Sequence, residues 1–179
     1  MNKVEQQEIV ERSNLDKKDQ IKLSSRITFL HTFARELLQA SSNRELMNLL
    51  FHNLTRLLGV EECLLLVMTS DTGEAVVARA LHANYEKLEN SRVALDNPLL
   101  AKIIETKQPV GSVPPATLVP GVVSRYAFPL IQDDQVVAIF NLGMLKGGDL
   151  LPDDQELVQV LAGMTSGAME QLRISMMTA

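Results

Sequence analysis

The chain has 179 residues with 17 basic and 22 acidic side chains, and its net charge of −5, without a basic cluster, excludes a nucleic-acid-binding surface. No apolar run reaches the length of a membrane-spanning helix, and the charged N-terminal segment does not fit a signal peptide, so we expect no membrane partner. The single cysteine, Cys63, excludes an intramolecular disulfide and indicates a reducing, cytoplasmic location.

The N-terminal part of the chain contains two segments of different character. Residues 1–22 are polar and carry too few apolar side chains to fold by burial, so we predict a helical extension or a disordered arm. From Leu23 onward, apolar residues recur every three or four positions, as in the seam between paired helices. Leu23, Ile27 and Leu30 begin this seam, and we expect them at a homodimer interface with coiled-coil character. Residues 23–179 are assigned to one domain.

A second helix and a pair of strands follow. Ser42 and Glu45 have the spacing of a capping box, in which the hydroxyl and the carboxylate bond early backbone N–H groups, and Gly59 suits the C-terminal cap. The helical period then gives way to a continuous apolar run at residues 63–69, and a polar turn leads to residues 75–81. These two runs are predicted to pair as antiparallel strands.

The middle of the chain combines a helix start with an unusual loop. Asn97 followed by proline predicts that another helix begins there. Residues 112–123 contain three prolines and one glycine, and are predicted to form no regular element. Because this segment is apolar, we expect it to cover a pocket or a neighbouring subunit.

The C-terminal part is predicted to be a hairpin and a helix. Residues 124–131 and 136–143 have the composition of two strands joined by an acidic turn. Pro129 cannot donate a hydrogen bond within the sheet, so it indicates an edge or a bulge. The final helix carries Gly163 and Gly167 on one face, which permits close packing against the sheet or a partner helix. Both glycines are therefore candidates for the dimer interface.

The order of these elements, over residues 27–173, resembles that of the GAF domain, a relative of the PAS sensors. The similar segments are RELMNLLFHNLTRLLGVEECLLLVMTSDTGE, NPLLAKIIETKQPV and SRYAFPLIQDDQVVAIFNLG. The resemblance implies an α+β fold, with an antiparallel sheet of five or six strands. It also implies that the N- and C-terminal helices pack on one face of the sheet, that a pocket lies on the other, and that these helices form a dimer.

The resemblance does not identify a ligand. GAF domains that bind cyclic nucleotides carry an Asn-Lys pair, then Phe, then Asp-Glu. Here Asn141 is followed by leucine, Leu150 replaces the phenylalanine, and Asp154 is followed by glutamine. Asn141 and Asp154 are interpreted as a strand-end hydrogen-bonding residue and a helix-start charge. The cofactor therefore remains unknown.

Catalytic and metal-binding chemistry finds little support in the sequence. Bilin-binding relatives hold their cysteine in a loop beside the pocket, and methionine sulfoxide reductases of this fold need a second cysteine, whereas Cys63 opens an apolar strand. It is interpreted as a core thiol. His31, His52 and His82 lack the spacing of a metal site. We expect no catalytic residue, no metal and no enzymatic activity.

Five residues are candidate ligand contacts. Arg79 interrupts an apolar strand, where its charge must reach solvent or an anionic partner. Tyr126 and Phe128 lie two apart and share one face of a strand; if that face is the pocket side, Met68 and Asn141 line the pocket with them.

Two functions fit this sequence. The first is a regulatory sensor module of signal transduction or transcription control, which binds a small ligand, dimerises through its helices and acts on a downstream signalling protein. The alternative is a structural dimerisation or protein-interaction module whose pocket is filled by its own side chains.

Overall fold

The computed structural model describes residues 3–69, 73–81, 85–119, 121–145 and 148–178. Parts of two predicted turns, at residues 70–72 and 146–147, lie outside the described residues, as does His82. The chain divides into two compact units, Met1–Gln39 and Ala40–Ala179. Within the described part of the chain, no helix is long and apolar enough to cross a membrane.

The first unit is a single helix, α1 (Lys3–Gln39). It takes up most of the predicted polar arm together with the predicted apolar seam. Phe29 and Phe33 stack along it, with ring centroids 6.3 Å apart.

In its described residues, the second unit contains four helices and six strands. The helices are α2 (Asn43–Leu58), α3 (Tyr85–Leu88), α4 (Pro98–Thr106) and α5 (Pro152–Thr178). The strands are β1 (Val60–Met68), β2 (Glu74–Leu81), β3 (Arg92–Ala94), β4 (Val110–Val119), β5 (Val122–Gln132) and β6 (Gln135–Leu145). They form one sheet in the order β3-β2-β1-β6-β5-β4, with antiparallel neighbours. The predicted α+β class with an antiparallel sheet is confirmed.

Local signals set the ends of α2. Ser42 is its N-cap, and its side chain accepts a hydrogen bond from the Glu45 backbone N–H. The Glu45 carboxylate accepts a 2.7 Å bond from the backbone N–H of Ser41, one residue earlier than in the usual capping box. Gly59 caps the other end in the left-handed conformation, at φ 59°.

Helices cover both faces of the sheet. On one face, the Phe51 ring of α2 meets the Phe140 ring of β6 edge to face, at 5.9 Å. On the same face, the backbone N–H of Ile131 donates to the Ser166 hydroxyl of α5 at 2.9 Å. The opposite face carries α4 and an apolar cluster that includes Leu64, Leu66, Val77, Leu100, Ile103 and Ile139. We call these the α2 face and the α4 face.

The prediction that residues 112–123 form no regular element is wrong, because most of them belong to β4. This strand lies at the edge of the sheet, where proline costs little because one side of the strand needs no partner. Its pairing with β5 shifts register between Gly111 and Ala116, around Pro114 and Pro115. The prolines therefore sit where the ladder is already interrupted.

The prediction for Pro129 is confirmed. Val110, the first residue of β4, pairs with Ala127, so β5 has no β4 neighbour at Pro129. A register shift against β6 follows at Leu130 and Ile131. Proline thus occupies a locally free edge next to a bulge.

Candidate functional site

A cavity of about 440 Å³ lies on the α2 face, between α2 and the strands β1 and β2. We call it the arginine cavity. Its polar lining consists of Arg44, Asn48, Thr69, Arg79 and Asn90. Its apolar lining consists of Met47, Leu65, Val67, Val76 and Ala78. Strand alternation explains the apolar part, because Leu65 and Val67 share the face of β1 that meets α2.

Arg79 links its own strand, β2, to α2 and to the turn that follows α3. Its Nε atom donates to Asn48 Oδ1 of α2 at 3.2 Å, and its Nη1 atom lies 3.7 Å from Glu89 Oε1, just beyond α3. The side chain is 47% exposed. The charge that interrupts the apolar strand therefore reaches solvent at the mouth of a cavity.

Arg44 is the second cation of the arginine cavity. It lies in the first turn of α2, one helical turn before Asn48, and its side chain is exposed. It makes no hydrogen bond or ion pair with the residues that the structure describes. None of the described lining residues is acidic. Sequence analysis missed Arg44 and Asn48, because a spacing of four places them on one face of α2 but does not place that face beside a cavity.

The structure does not bring the five candidate ligand residues together. Phe128 is paired with Phe140, whose ring contacts α2, so Phe128 and Tyr126 lie on the α2 face. Met68 packs against the cluster on the α4 face. Asn141, next to Phe140 in β6, points to that same face, and Arg79 alone lines the arginine cavity.

Asn141 lies within β6, rather than at a strand end as its sequence interpretation had it. It is fully buried, and its Oδ1 atom accepts a short hydrogen bond from the buried hydroxyl of Ser124. Its Nδ2 group has no partner among the described residues. The pair therefore joins β5 to β6 inside the sheet and leaves one buried amide group unsatisfied.

Cys63 is a buried residue of β1. Burial raises the pKa of its thiol to about 12, against a smaller opposing effect of a backbone hydrogen bond from Leu81. Nucleophilic and redox chemistry both need the thiolate, which this site disfavours. In the described part of the chain, no three His, Cys, Asp or Glu residues group as a metal site.

The candidate dimer residues have surface that a partner can reach. Leu23 is 61% exposed and Ile27 is 48% exposed, while Leu30 is half-buried. Gly163 and Gly167 are exposed, and a Cβ atom added at either would meet no described atom within 4 Å. Close packing against the sheet is therefore not the role of these glycines, and packing against a partner helix stays a prediction.

A smaller cavity of about 230 Å³ lies where β5 meets α5. Phe128 and Gly163 contribute to its lining, together with Ala162 and Ser166. It adjoins the exposed Gly163 of α5.

The family model described as "GAF domain" matches residues 42–171. The chain belongs to the GAF domain family. This GAF domain covers the whole second unit except for its first residues and the end of α5. GAF domains serve as regulatory sensor domains in signalling proteins.

Solved structures share the fold at low sequence identity. The GAF domain of an Acinetobacter phosphoenolpyruvate-protein phosphotransferase is 11% identical, with a TM-score of 0.67, over 84% of this chain and 95% of that one. The corresponding domain from Coxiella burnetii is 15% identical, with the same TM-score and the same coverage. The free methionine-R-sulfoxide reductase of Neisseria meningitidis is 15% identical, with a TM-score of 0.64, over 82% and 89%. None of the curated proteins is similar enough to this chain to count as a match.

Proposed function

We propose that this GAF domain is a regulatory sensor module that binds a small ligand and acts as a homodimer through its helices. The observation that carries the proposal is the arginine cavity. Its volume of about 440 Å³ falls within the range of roughly 300–1,000 Å³ that small-molecule sites occupy. It also combines an apolar lining with a few convergent polar groups, as such sites do.

We infer that a ligand in this cavity would influence the helices. Arg44 and Asn48 belong to α2, and α2 packs against α5 within the second unit. A ligand that holds α2 against β2 favours one position of α2 and thereby one position of α5. The exposed side chains of α1 and α5 support pairing with a second copy. A downstream signalling protein would then respond to the arrangement of the paired helices.

We propose that the domain is not an enzyme, although a reductase shares its fold. The raised pKa of Cys63 leaves too little thiolate for attack on a sulfoxide, and the sequence has no second cysteine to resolve an oxidised one. The single cysteine also supports function in a reducing compartment, which is the cytoplasm.

A second candidate is a structural dimerisation module that binds no ligand. The filled α4 face favours it, because the apolar cluster there packs the space between the sheet and α4 with the protein's own side chains. On this account the arginine cavity is a solvated surface depression.

A thermal-unfolding screen against a metabolite library separates the two candidates. A ligand at a hundredfold excess over its Kd stabilises the folded state by about 2.7 kcal/mol, which raises the unfolding temperature by several degrees. If the domain is a sensor, we expect at least one metabolite to do so. A library without a single stabilising compound would favour the structural module.

A further inference from the structure

We propose that the arginine cavity binds a small monocarboxylate with an apolar tail, and that the carboxylate lies between the guanidinium groups of Arg44 and Arg79. This inference rests on the proposed function, because it names the class of ligand that the sensor takes.

The charge of the cavity fits a monoanion. Arg44 and Arg79 contribute two positive charges, and none of the described lining residues is acidic. Glu89, which lies 3.7 Å from Arg79, offsets one of them. One uncompensated positive charge remains, which a carboxylate neutralises. A phosphate monoester carries about −1.5 to −2 at neutral pH and would leave excess negative charge.

The donors around the cavity fit a planar anion. Asn48 accepts from Nε of Arg79, which holds the guanidinium against α2 and leaves its Nη atoms to donate further. The Asn48 amide nitrogen has no partner among the described residues and adds two N–H donors. Guanidinium groups bind carboxylates through two parallel hydrogen bonds, which matches this set of donors.

The apolar lining selects the rest of the ligand. Leu65 is almost fully buried, and Val67 and Val76 are half-buried beside it. An alkyl or aryl tail would cover the exposed parts of Val67 and Val76 and remove them from water. A zwitterionic amino acid fits poorly, because its ammonium group would find no carboxylate among the described lining residues and would lose hydration.

Hexanoate and phenylacetate are suitable probes, with hexanamide and phenylacetamide as uncharged controls of the same shape. Binding to the full chain is followed by ¹H–¹⁵N chemical-shift titration, for wild type and for R44Q and R79Q. The matched control is R56Q, because Arg56 is an exposed arginine near the end of α2 and outside the cavity. Circular dichroism checks that each variant is folded.

The expected result is saturable binding of at least one carboxylate, with shifts centred on residues of the cavity and no saturation by either amide. Loss of one charge-assisted contact raises Kd by about tenfold or more in R44Q and R79Q, and R56Q binds as wild type does. If R79Q loses its fold together with its bond to Asn48, R44Q alone tests the inference, because Arg44 is exposed and its replacement should leave the fold intact.

Two results would overturn the inference. One is that neither carboxylate binds more tightly than its amide, and the other is that R44Q binds a carboxylate as tightly as wild type. Either result could be accompanied by a metabolite of another class that stabilises the chain in the thermal screen. The proposed sensor function would then still hold, but the ligand would not be a monocarboxylate. If no metabolite stabilises the chain and neither carboxylate binds, both the proposed sensor function and the monocarboxylate ligand are contradicted.

Discussion

The local environment of Cys63 determines whether its thiol can react. It lies in the interior strand β1 and is fully buried, and burial raises the pKa of its thiol to about 12. At pH 8 the thiol is then almost entirely protonated. The position of Cys63 in the sheet therefore agrees with its interpretation as a core thiol.

We expect Cys63 to resist alkylation in the folded protein. Iodoacetamide at pH 8, followed by mass spectrometry, should leave the native chain unmodified and label it completely in urea, because unfolding restores the ordinary thiol pKa. Rapid labelling without denaturant would contradict the buried position of Cys63 and would make a redox function plausible again.

The second residue-scale prediction concerns Glu45 and pH. Hydrogen bonds from the backbone N–H and the hydroxyl of Ser41 lower the pKa of Glu45 below 4.5. A carboxyl group with a lowered folded-state pKa stabilises the protein above its unfolded pKa, and this contribution is lost as pH falls through the folded value. Glu45→Gln should therefore unfold at a lower urea concentration than wild type at pH 7.

Urea titrations at several pH values check this prediction. The difference between Glu45→Gln and wild type should shrink as pH falls from 4.5 through the lower folded-state pKa of Glu45, because protonation of the unfolded and then of the folded carboxyl group removes the contribution of its charge. Glu61→Gln, at an exposed position of β1, is the matched control and should follow wild type throughout. A gap that stays constant down to acid pH would exclude the carboxylate as its cause.

At the scale of elements, close packing distinguishes two glycines. A Cβ atom at Gly143 of β6 would stand 2.6 Å from the Val123 carbonyl oxygen, whereas one at Gly163 of α5 would meet nothing within 4 Å. Gly143→Ala should destabilise the fold by about 1–3 kcal/mol through overpacking. Gly163→Ala should stabilise the monomer by about 1 kcal/mol through helix propensity.

Denaturant unfolding at low protein concentration measures both changes, and each variant is the control for the other. Equal stability of the two variants would mean that β5 and β6 adjust to a methyl group more easily than this packing allows. A Gly163→Ala variant that is more stable as a monomer but dimerises less would place a partner helix on this face of α5.

Elements with local signals could be predicted from the sequence, and those that depend on distant pairing could not. The caps of α2 and the turn between β5 and β6 are set by adjacent residues, including Asp133 and Asp134 in the left-handed conformation. The strand β4 has prolines that argue against any strand, and only its edge position next to β5 explains them.

The candidate site, too, could be predicted from the sequence only in part. The shared face of Tyr126 and Phe128 follows from strand alternation, but which helix covers that face depends on tertiary packing. Arg79 could be singled out because a charge interrupts an apolar strand. The contribution of Arg44 and Asn48 could not, since the cavity exists only where α2 packs over β1 and β2.

At the scale of the whole molecule, we expect a dimer. The triple variant Leu23→Ser, Ile27→Ser and Leu30→Ser removes the apolar seam of α1, whose first two residues are largely exposed. Sedimentation equilibrium should then show monomers. A control triple variant, Lys22→Ser, Thr28→Ser and Arg35→Ser, changes exposed positions outside the seam of the same helix and should stay dimeric. An unchanged dimer in the first variant would place the interface elsewhere.

The central claim is that this GAF domain senses a small molecule as a homodimer that forms through its helices. Native mass spectrometry of the full chain, purified and then incubated with a metabolite pool, measures bound mass and the number of chains together. We expect two chains with a discrete added mass that disappears under denaturing conditions. A clean complex of two unliganded chains across the whole pool would contradict the claim and favour the structural module.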